Sequence, residues 1–311
     1  MPTRTRRNTV RRSILTENKT FPGAACRRRG RKDCEKMKII KNQIHIGVET
    51  PFTILHASDT HLWRADERDG EKKMKHAKGR GVLFPQADEN YEFIIRRANE
   101  LGCMVAYTGD LIDFVSQANY DAARDFCRRT DCFMTAGNHE FCQFVGDGAE
   151  ENAAYRNLSL ADVQACFDND IRFSCREVGG VNFVSLDNSY YRIEPEHLEA
   201  LRGVVAQGKP VILLMHTPLY TDAHYQWMGA NGGISYMMAA PDRLVETYPP
   251  DRYRQQIADE VTKEAYAYIR SQPTIKALLT GHMHHDYEEM FTENTVQLTV
   301  GCNTLREITV F

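Results

Sequence analysis

Seven side chains able to hold a metal ion fall in five short blocks of this 311-residue chain. They are Asp59 and His61 in Asp59-Thr60-His61, Asp110 in Gly109-Asp110-Leu111-Ile112-Asp113, Asn138 in Gly137-Asn138-His139-Glu140, His216, and the pair His282 and His284 after Gly281. Imidazole, carboxylate and carboxamide donors without a thiolate suit borderline first-row ions such as Mn, Fe or Zn over Ca. The set exceeds what one ion needs and is about right for two, with His139 to spare. Paired divalent ions sharing a carboxylate sit ~3.5–4 Å apart and acidify a shared water. A site of that kind attracts anions.

Each block ends an apolar, strand-like run: 52–58, 103–108, 132–136, 211–215 and 275–280. In α/β sheets ligands gather beyond the carboxyl ends of strands, so five such tips can converge on one crevice. Helices are expected between them. Ala87, Tyr91, Ile94, Ile95, Ala98 and Leu101 share one helical face, and further helical stretches are expected over 117–128, 150–167, 194–207 and 254–270. The alternating run 39–48 is expected to form a hairpin with the strand ending at Asp59, through Glu49-Thr50-Pro51. Runs 172–178 and 181–187 flank Gly179-Gly180, a tight-turn signal. Strands are expected again over 296–300 and 305–311. The order suits an α/β class of two packed mixed β-sheets with helices outside.

Composition fits that class. An apolar share of 42% with 26% charged residues is ordinary for a globular protein. No apolar run approaches the ~20 residues of a membrane helix, so no membrane partner is expected. Nine cysteines in no paired spacing, without a secretory leader, point to a reducing, cytoplasmic setting. The first 38 residues differ: 13 Lys/Arg stand against Glu17, Asp33 and Glu35. This basic stretch, residues 1–38, is read as a disordered extension, with a nucleic-acid-binding or targeting arm as the alternative, so nucleic acid is not the expected partner. Residues 39–311 are read as one catalytic domain. Nothing in the sequence reports the oligomeric state.

The ordered blocks D-x-H, G-D-x-x-D, G-N-H-E, H and G-H-x-H resemble the calcineurin-like metallophosphoesterase superfamily. That resemblance implies a four-layer α/β/β/α sandwich and two divalent or mixed-valence first-row ions. It implies that Asp59, His61, Asp110 and His284 hold one ion, and that Asp110 bridges to a second held with Asn138, His216 and His282. It further implies that His139 faces the substrate as general acid and that Asp113 orients it. A bridging hydroxide is the implied nucleophile, and a small-molecule phosphoester the implied substrate. Two divalent ions, two carboxylates and one hydroxide leave a small positive charge, which favours an entering anion.

Departures from relatives bear on the substrate. Phosphoprotein phosphatases of that superfamily follow G-D-x-x-D with an arginine that clamps phosphate, and Phe114 stands in that place here. Gly137-Asn138-His139-Glu140-Phe141 resembles the nucleotidase branch. Ser58-Asp59-Thr60-His61-Leu62 looks more like small bacterial phosphodiesterases. Small organic or nucleotide phosphodiesters are the expected substrates. A nucleotidase-like phosphomonoesterase, a nuclease and an inactive scaffold remain alternatives. The segment 217–250 is expected to be a long substrate-side insertion, with His224, Tyr225 and Trp227 as candidate substrate contacts or, equally, as packing. His45 and His56 are read as structural residues, in the core or on the surface, and His285 as a solvent-facing or rim residue, with support of the last ligand as the alternative. Asp187-Asn188 is read as structural, with support of the crevice as the alternative. The charged stretch 66–80 is read as a solvated loop, with a phosphate-contacting lid as the alternative.

Overall fold

A computed structural model describes residues 37–146, 153–231 and 236–311. The strands are β1 (Lys38–Ile44), β2 (Phe52–Ala57), β3 (Val105–Tyr107), β4 (Cys132–Met134), β5 (Phe173–Val178), β6 (Val181–Leu186), β7 (Val211–Leu214), β8 (Ile275–Thr280), β9 (Tyr287–Met290), β10 (Val296–Thr299) and β11 (Thr304–Val310). The helices are α1 (Gly70–Arg80), α2 (Ala87–Leu101), α3 (Gln117–Arg129), α4 (Ala153–Gln164), α5 (Pro195–Val205), α6 (Asp222–Ala230), α7 (Asp242–Val245), α8 (Pro250–Gln256) and α9 (Glu260–Ser271).

Five strands form one sheet in the order β1-β11-β2-β3-β4, and six form another in the order β5-β6-β7-β8-β10-β9. The central strands are apolar on both sides because both sides are covered. Ile54, Ala106, Phe133 and Ile308 of the first sheet meet Phe183, Ile212, Leu214 and Leu279 of the second in the inner layer. Alternate residues Leu55, Val105, Tyr107 and Met134 face outward onto Tyr91 and Ile94 of α2 and Phe126 of α3. On the far side Val184, Leu213 and Leu278 pack against Leu198 and Leu201 of α5 and Ile269 of α9. Each such Leu or Ile contributes about 1.5–3 kcal/mol when fully buried. Helix–sheet–sheet–helix layering follows from this period-two alternation.

Register places the functional tips side by side. β2, β3 and β4 run parallel, with Ala57 beside Tyr107 and Tyr107 beside Met134. β7 and β8 run parallel in the other sheet, with Leu214 beside Leu279. All five block-bearing loops therefore leave their strands at carboxyl ends. β5 and β6 pair through the expected turn, Gly179 and Gly180 having φ of 58° and 82°.

Several expectations are corrected. β1 and β2 are not a hairpin: β11 lies between them, parallel to β1 and antiparallel to β2. The link through Glu49-Thr50-Pro51 reverses the chain but leaves a strand-wide gap that the C-terminal strand fills. Residues 66–80 are not a loop. Asp66 and Asp69 form a reciprocal cap on a short 3-10 turn over Glu67–Asp69, which runs into α1. Among α1 residues only Ala77 is buried, so no apolar periodicity marks it, although Lys, Glu, Met and Ala are good helix formers. The expected 254–270 helix is two helices, because the Asp259 side chain caps α9 by accepting from the Thr262 amide at 2.8 Å. Leu101 ends α2 exposed instead of in its apolar stripe. The basic extension lies outside the described residues up to residue 36, while Met37 is buried and Lys38 already belongs to β1. Part of the 150–167 helix, residues 150–152, also lies outside them.

Candidate metal centre at the strand tips

The backbone at the tips is strained where the donors sit. Asp59 (φ 56°), His61 (50°), Asp110 (57°), His282 (65°) and His284 (54°) are left-handed, and so is Tyr191 (60°), which contacts His282. Such a conformation costs a non-Gly residue about 1–2 kcal/mol, and it persists only when the surroundings over-determine it. Here the Asp59 amide donates to the Gly109 carbonyl at 3.0 Å and the His61 amide to the Asp110 carbonyl at 2.9 Å. The His282 amide donates to both Asp59 carboxylate oxygens, at 2.9 and 3.1 Å. Strain clustered on the candidate ligands is a mark of function. Two glycines allow the close approach. A Cβ on Gly109 (φ 90°) would stand 2.6 Å from Gly137 Cα, and one on Gly281 would stand 2.4 Å from Asp59 Oδ2.

The structure brings all seven candidate donors together. His216 Nδ1 donates to the Thr108 carbonyl at 2.7 Å, so its proton is on that nitrogen. Its Nε2 then faces Asn138 Oδ1 at 3.0 Å and Asp110 Oδ2 at 3.3 Å. His61 Nδ1 is held by Asp113 Oδ1 at 2.9 Å. Its Nε2 faces His284 Nε2 at 2.9 Å, Asp110 Oδ2 at 3.6 Å and Asp59 Oδ1 at 3.8 Å. His282 Nε2 pairs with the Tyr191 hydroxyl at 2.8 Å, while its Nδ1 lies 3.2 Å from His216 Nε2. In the rings of His61, His216 and His282 the outer nitrogen is held by a protein group, which leaves the inner one to face the other donors. That is how protein partners fix the tautomer of metal-binding histidines. Three overlapping donor groups result: Asp59/His61/His284, His61/Asp110/His139 and Asp59/Asp110/His216.

The electrostatics call for positive charge. Burial opposes ionisation of His216 and His139, yet Asp110 with Asp59 raises the first to about 9, and Asp110 with Asp113 raises the second to about 10. Burial also works against the Asp59 and Asp110 carboxylates, but neighbouring histidines hold both below the usual range. His282 is pushed down to about 3 by burial and by His216, which keeps it a neutral donor. Most of the centre is sealed. His284, with a side chain 41% exposed, and His139, at 13%, mark the side open to solvent.

His139 and Asp113 do meet, though less simply than expected. His139 Nδ1 is 2.9 Å from the Asp113 main-chain carbonyl and 3.2 Å from its carboxylate. That carboxylate also holds His61, and it takes Arg80 Nε at 2.5 Å and a second guanidinium nitrogen at 2.8 Å. Arg80 comes from α1 and was not marked by any motif.

Other supports were missed as well. Buried Glu140 accepts the amides of Asp110 (2.8 Å), Leu111 (2.8 Å) and Gly137 (2.7 Å), tying two tips together. Its motif position beside the ligands was the available signal. Asn188 Oδ1 accepts the His216 and Thr217 amides at 2.9 and 3.0 Å, so the alternative reading of Asp187-Asn188 holds for Asn188. Asp187 turns away to Ser189 and Arg172.

The 217–250 segment is not an open loop where it is described. It holds α6, α7 and a bridge between Leu219 and Met238, and Tyr225 and Trp227 pack into its own apolar cluster with Tyr220 and Met228. His224 is wholly buried, stacked on Tyr287 at 4.1 Å and bonded to His285 Nε2 at 3.0 Å. His285 thus faces α6 rather than the open side. His56 is buried against Thr108 Oγ1 at 3.0 Å, and His45 stacks on Phe311.

Among known proteins, the family model described as calcineurin-like phosphoesterase matches residues 52–286, which span every donor block. Solved structures of similar shape include a dimetal phosphatase from Danio rerio, at 13% identity over 81% of this chain and 88% of that one, with a TM-score of 0.44. A phosphopantetheinyl hydrolase from Mycobacterium tuberculosis has 13% identity over 80% and 89%, with a TM-score of 0.40. A 5'-nucleotidase from Candida albicans has 15% identity over 80% of this chain but only 45% of its own length, with a TM-score of 0.38. No curated protein matches the chain in sequence. Among the described residues no helix is long and apolar enough to cross a membrane.

Proposed function

Since the chain belongs to the calcineurin-like phosphoesterase family, we propose that it hydrolyses small organic or nucleotide phosphoesters, diesters in preference to monoesters, at the crevice of strand tips. The observation that carries this reading is the set of donor atoms that His61, His216, Asn138, Asp59 and Asp110 turn toward one another, with His61, His216, Asp59 and Asp110 each also held by a hydrogen bond from outside the set. Such a donor set fits first-row cations of the Mn, Fe or Zn kind. Asp59, His61, Asp110 and His284 would hold one ion; Asp110, Asn138, His216 and His282 would hold another. When bound, paired cations supply an acidified water and countercharge for phosphoryl oxygens.

The chain's own residues do the rest. His139, on the open side, is anchored through Nδ1 on Asp113, which leaves Nε2 to give a proton to the departing oxygen. Asp113 serves two rings at once, fixing His61 as a donor and setting the charge beside His139. Glu140 ties neighbouring tips of the first sheet and Asn188 those of the second, which holds Asp110 and His216 in place and pre-organises the site before substrate enters.

Diesters are favoured by charge. Phe114 is fully buried and offers phosphate nothing. Arg80 already faces the Asp113 carboxylate. A dianionic monoester therefore lacks a dedicated clamp at phosphorus, whereas a monoanionic diester needs none. The test is kcat/KM of the metal-loaded protein on matched pairs, such as bis(4-nitrophenyl) phosphate and 4-nitrophenyl phosphate. Higher values on the diester are expected. Monoesters favoured by about tenfold, or about 1.4 kcal/mol of transition-state binding, would overturn the diester preference while leaving the phosphoesterase reading intact.

A further inference from the structure

α1 carries a charged face that the mechanism above does not use. Lys72, Lys75, His76, Gly79 and Arg80 recur at helical spacing, and with Phe144 they line an open cleft of ≈ 370 Å³. Many surface cations elsewhere are matched, among them Arg64 with Asp88, Arg97 with Glu307, Arg129 with Glu92 and Arg176 with Asp131. Lys72 and Lys75 have no carboxylate within ion-pair distance among the described residues. Lys72 Nζ is instead parked 4.0 Å over the Phe144 ring. The neighbouring Lys73 turns inward to the Val115 carbonyl and the Gln143 side chain, so the outward pair is not simply the exposed side of a lysine-rich helix.

The cleft adjoins the metal centre on the His139 side. Arg80 lines it and also holds Asp113, whose carbonyl anchors His139. His76 packs on Phe114 at 5.0 Å and on Phe144 at 5.5 Å, continuing the same wall. A leaving group that extends from His139 past Arg80 would lie along this wall. Unmatched cations in a concave surface focus field and attract anions.

We propose that this cleft is a second anion subsite, and that the substrate is a phosphoester whose leaving portion carries a further phosphate or carboxylate. The inference rests on the phosphoesterase reading and deepens it. Lys72 and Lys75 supply the countercharge, Phe144 a floor for the carbon skeleton, and Arg80 the border with the catalytic side. Gly79 keeps the centre of the cleft clear, because a Cβ there would meet nothing within 4 Å.

That last fact gives a test that does not disturb packing. The substrates are the 4-carboxyphenyl and 4-carbamoylphenyl diesters of methyl phosphate, or the corresponding monoesters if these are turned over better. The wild-type protein is expected to favour the carboxylate-bearing ester by about tenfold at low salt, as charge-assisted hydrogen bonds at a partly open site allow. The preference should fall toward unity in Gly79→Glu and in Lys72→Gln/Lys75→Gln, and should survive in the neutral control Gly79→Gln. Equal kcat/KM on both esters in the wild type, or a preference that persists in Gly79→Glu and the double variant, would overturn the subsite. Hydrolysis of neither ester would overturn the phosphoesterase reading and this inference with it.

Discussion

Asp110→Ala should lose bound metal and at least about 10²-fold in kcat/KM, more than is usual for groups that only support a metal ligand. The reason is geometric. Asp110 belongs to two of the three donor groups, and its Oδ2 is 3.3 Å from His216 and 3.6 Å from His61, which come from different sheets. It is the carboxylate we propose as the bridge between the two halves of the centre. Metal content by elemental analysis is therefore expected to fall from about two ions, as the paired-ion chemistry requires, to less than one. Asp110→Asn keeps the shape and the Oδ1 contact with the His139 amide, so it separates lost charge from lost backbone order. A variant that retains two ions would remove Asp110 from its bridging place.

Replacing His139 should affect chemistry and not metal. His139→Ala is expected to keep its ions yet lose ~10²–10⁴-fold on esters with poor leaving groups, the range of a general acid. On a nitrophenyl ester the loss should be far smaller, since that phenolate leaves almost unaided. A competing role exists in the geometry, because His139 also falls in a donor group with His61 and Asp110. If it were a ligand, the variant would lose metal and fall equally on both esters. Its hydrogen bond to the Asp113 carbonyl fixes one ring nitrogen and favours the acid. Asp113→Asn should show the same leaving-group dependence more weakly, with added loss from His61.

The five candidate donor blocks were legible because each is local: an apolar run that stops, in four of the five a small residue, then a candidate ligand. Gly109 and Gly281 announce close backbone approach in the sequence as clearly as in space. Long-range pairing was not legible in the same way. Nothing between Ile44 and Phe52 says that a strand from the far end of the chain, β11, slips between β1 and β2. α1 was hidden for another reason. It buries almost nothing and is pinned by polar contacts, Arg80 to Asp113 and Lys73 to the Val115 carbonyl, which no periodicity reports. Glu140 was in plain view beside two ligands, but its task is to hold amides, and that depends on three backbone groups meeting in space. The aromatic segment after His216 could have lined the crevice or packed on itself. Burial of His224 against Tyr287 places its histidine in packing.

The most direct measurement is phosphodiester hydrolysis by chelator-stripped protein during stepwise addition of Mn²⁺ or Zn²⁺, with bound metal quantified at each step. Paired cations acting together predict negligible turnover without metal and activity that appears mainly as the second ion binds. Full turnover in excess chelator, or activity complete with a single bound ion, would contradict a two-ion centre built on Asp59, Asp110 and the converging histidines.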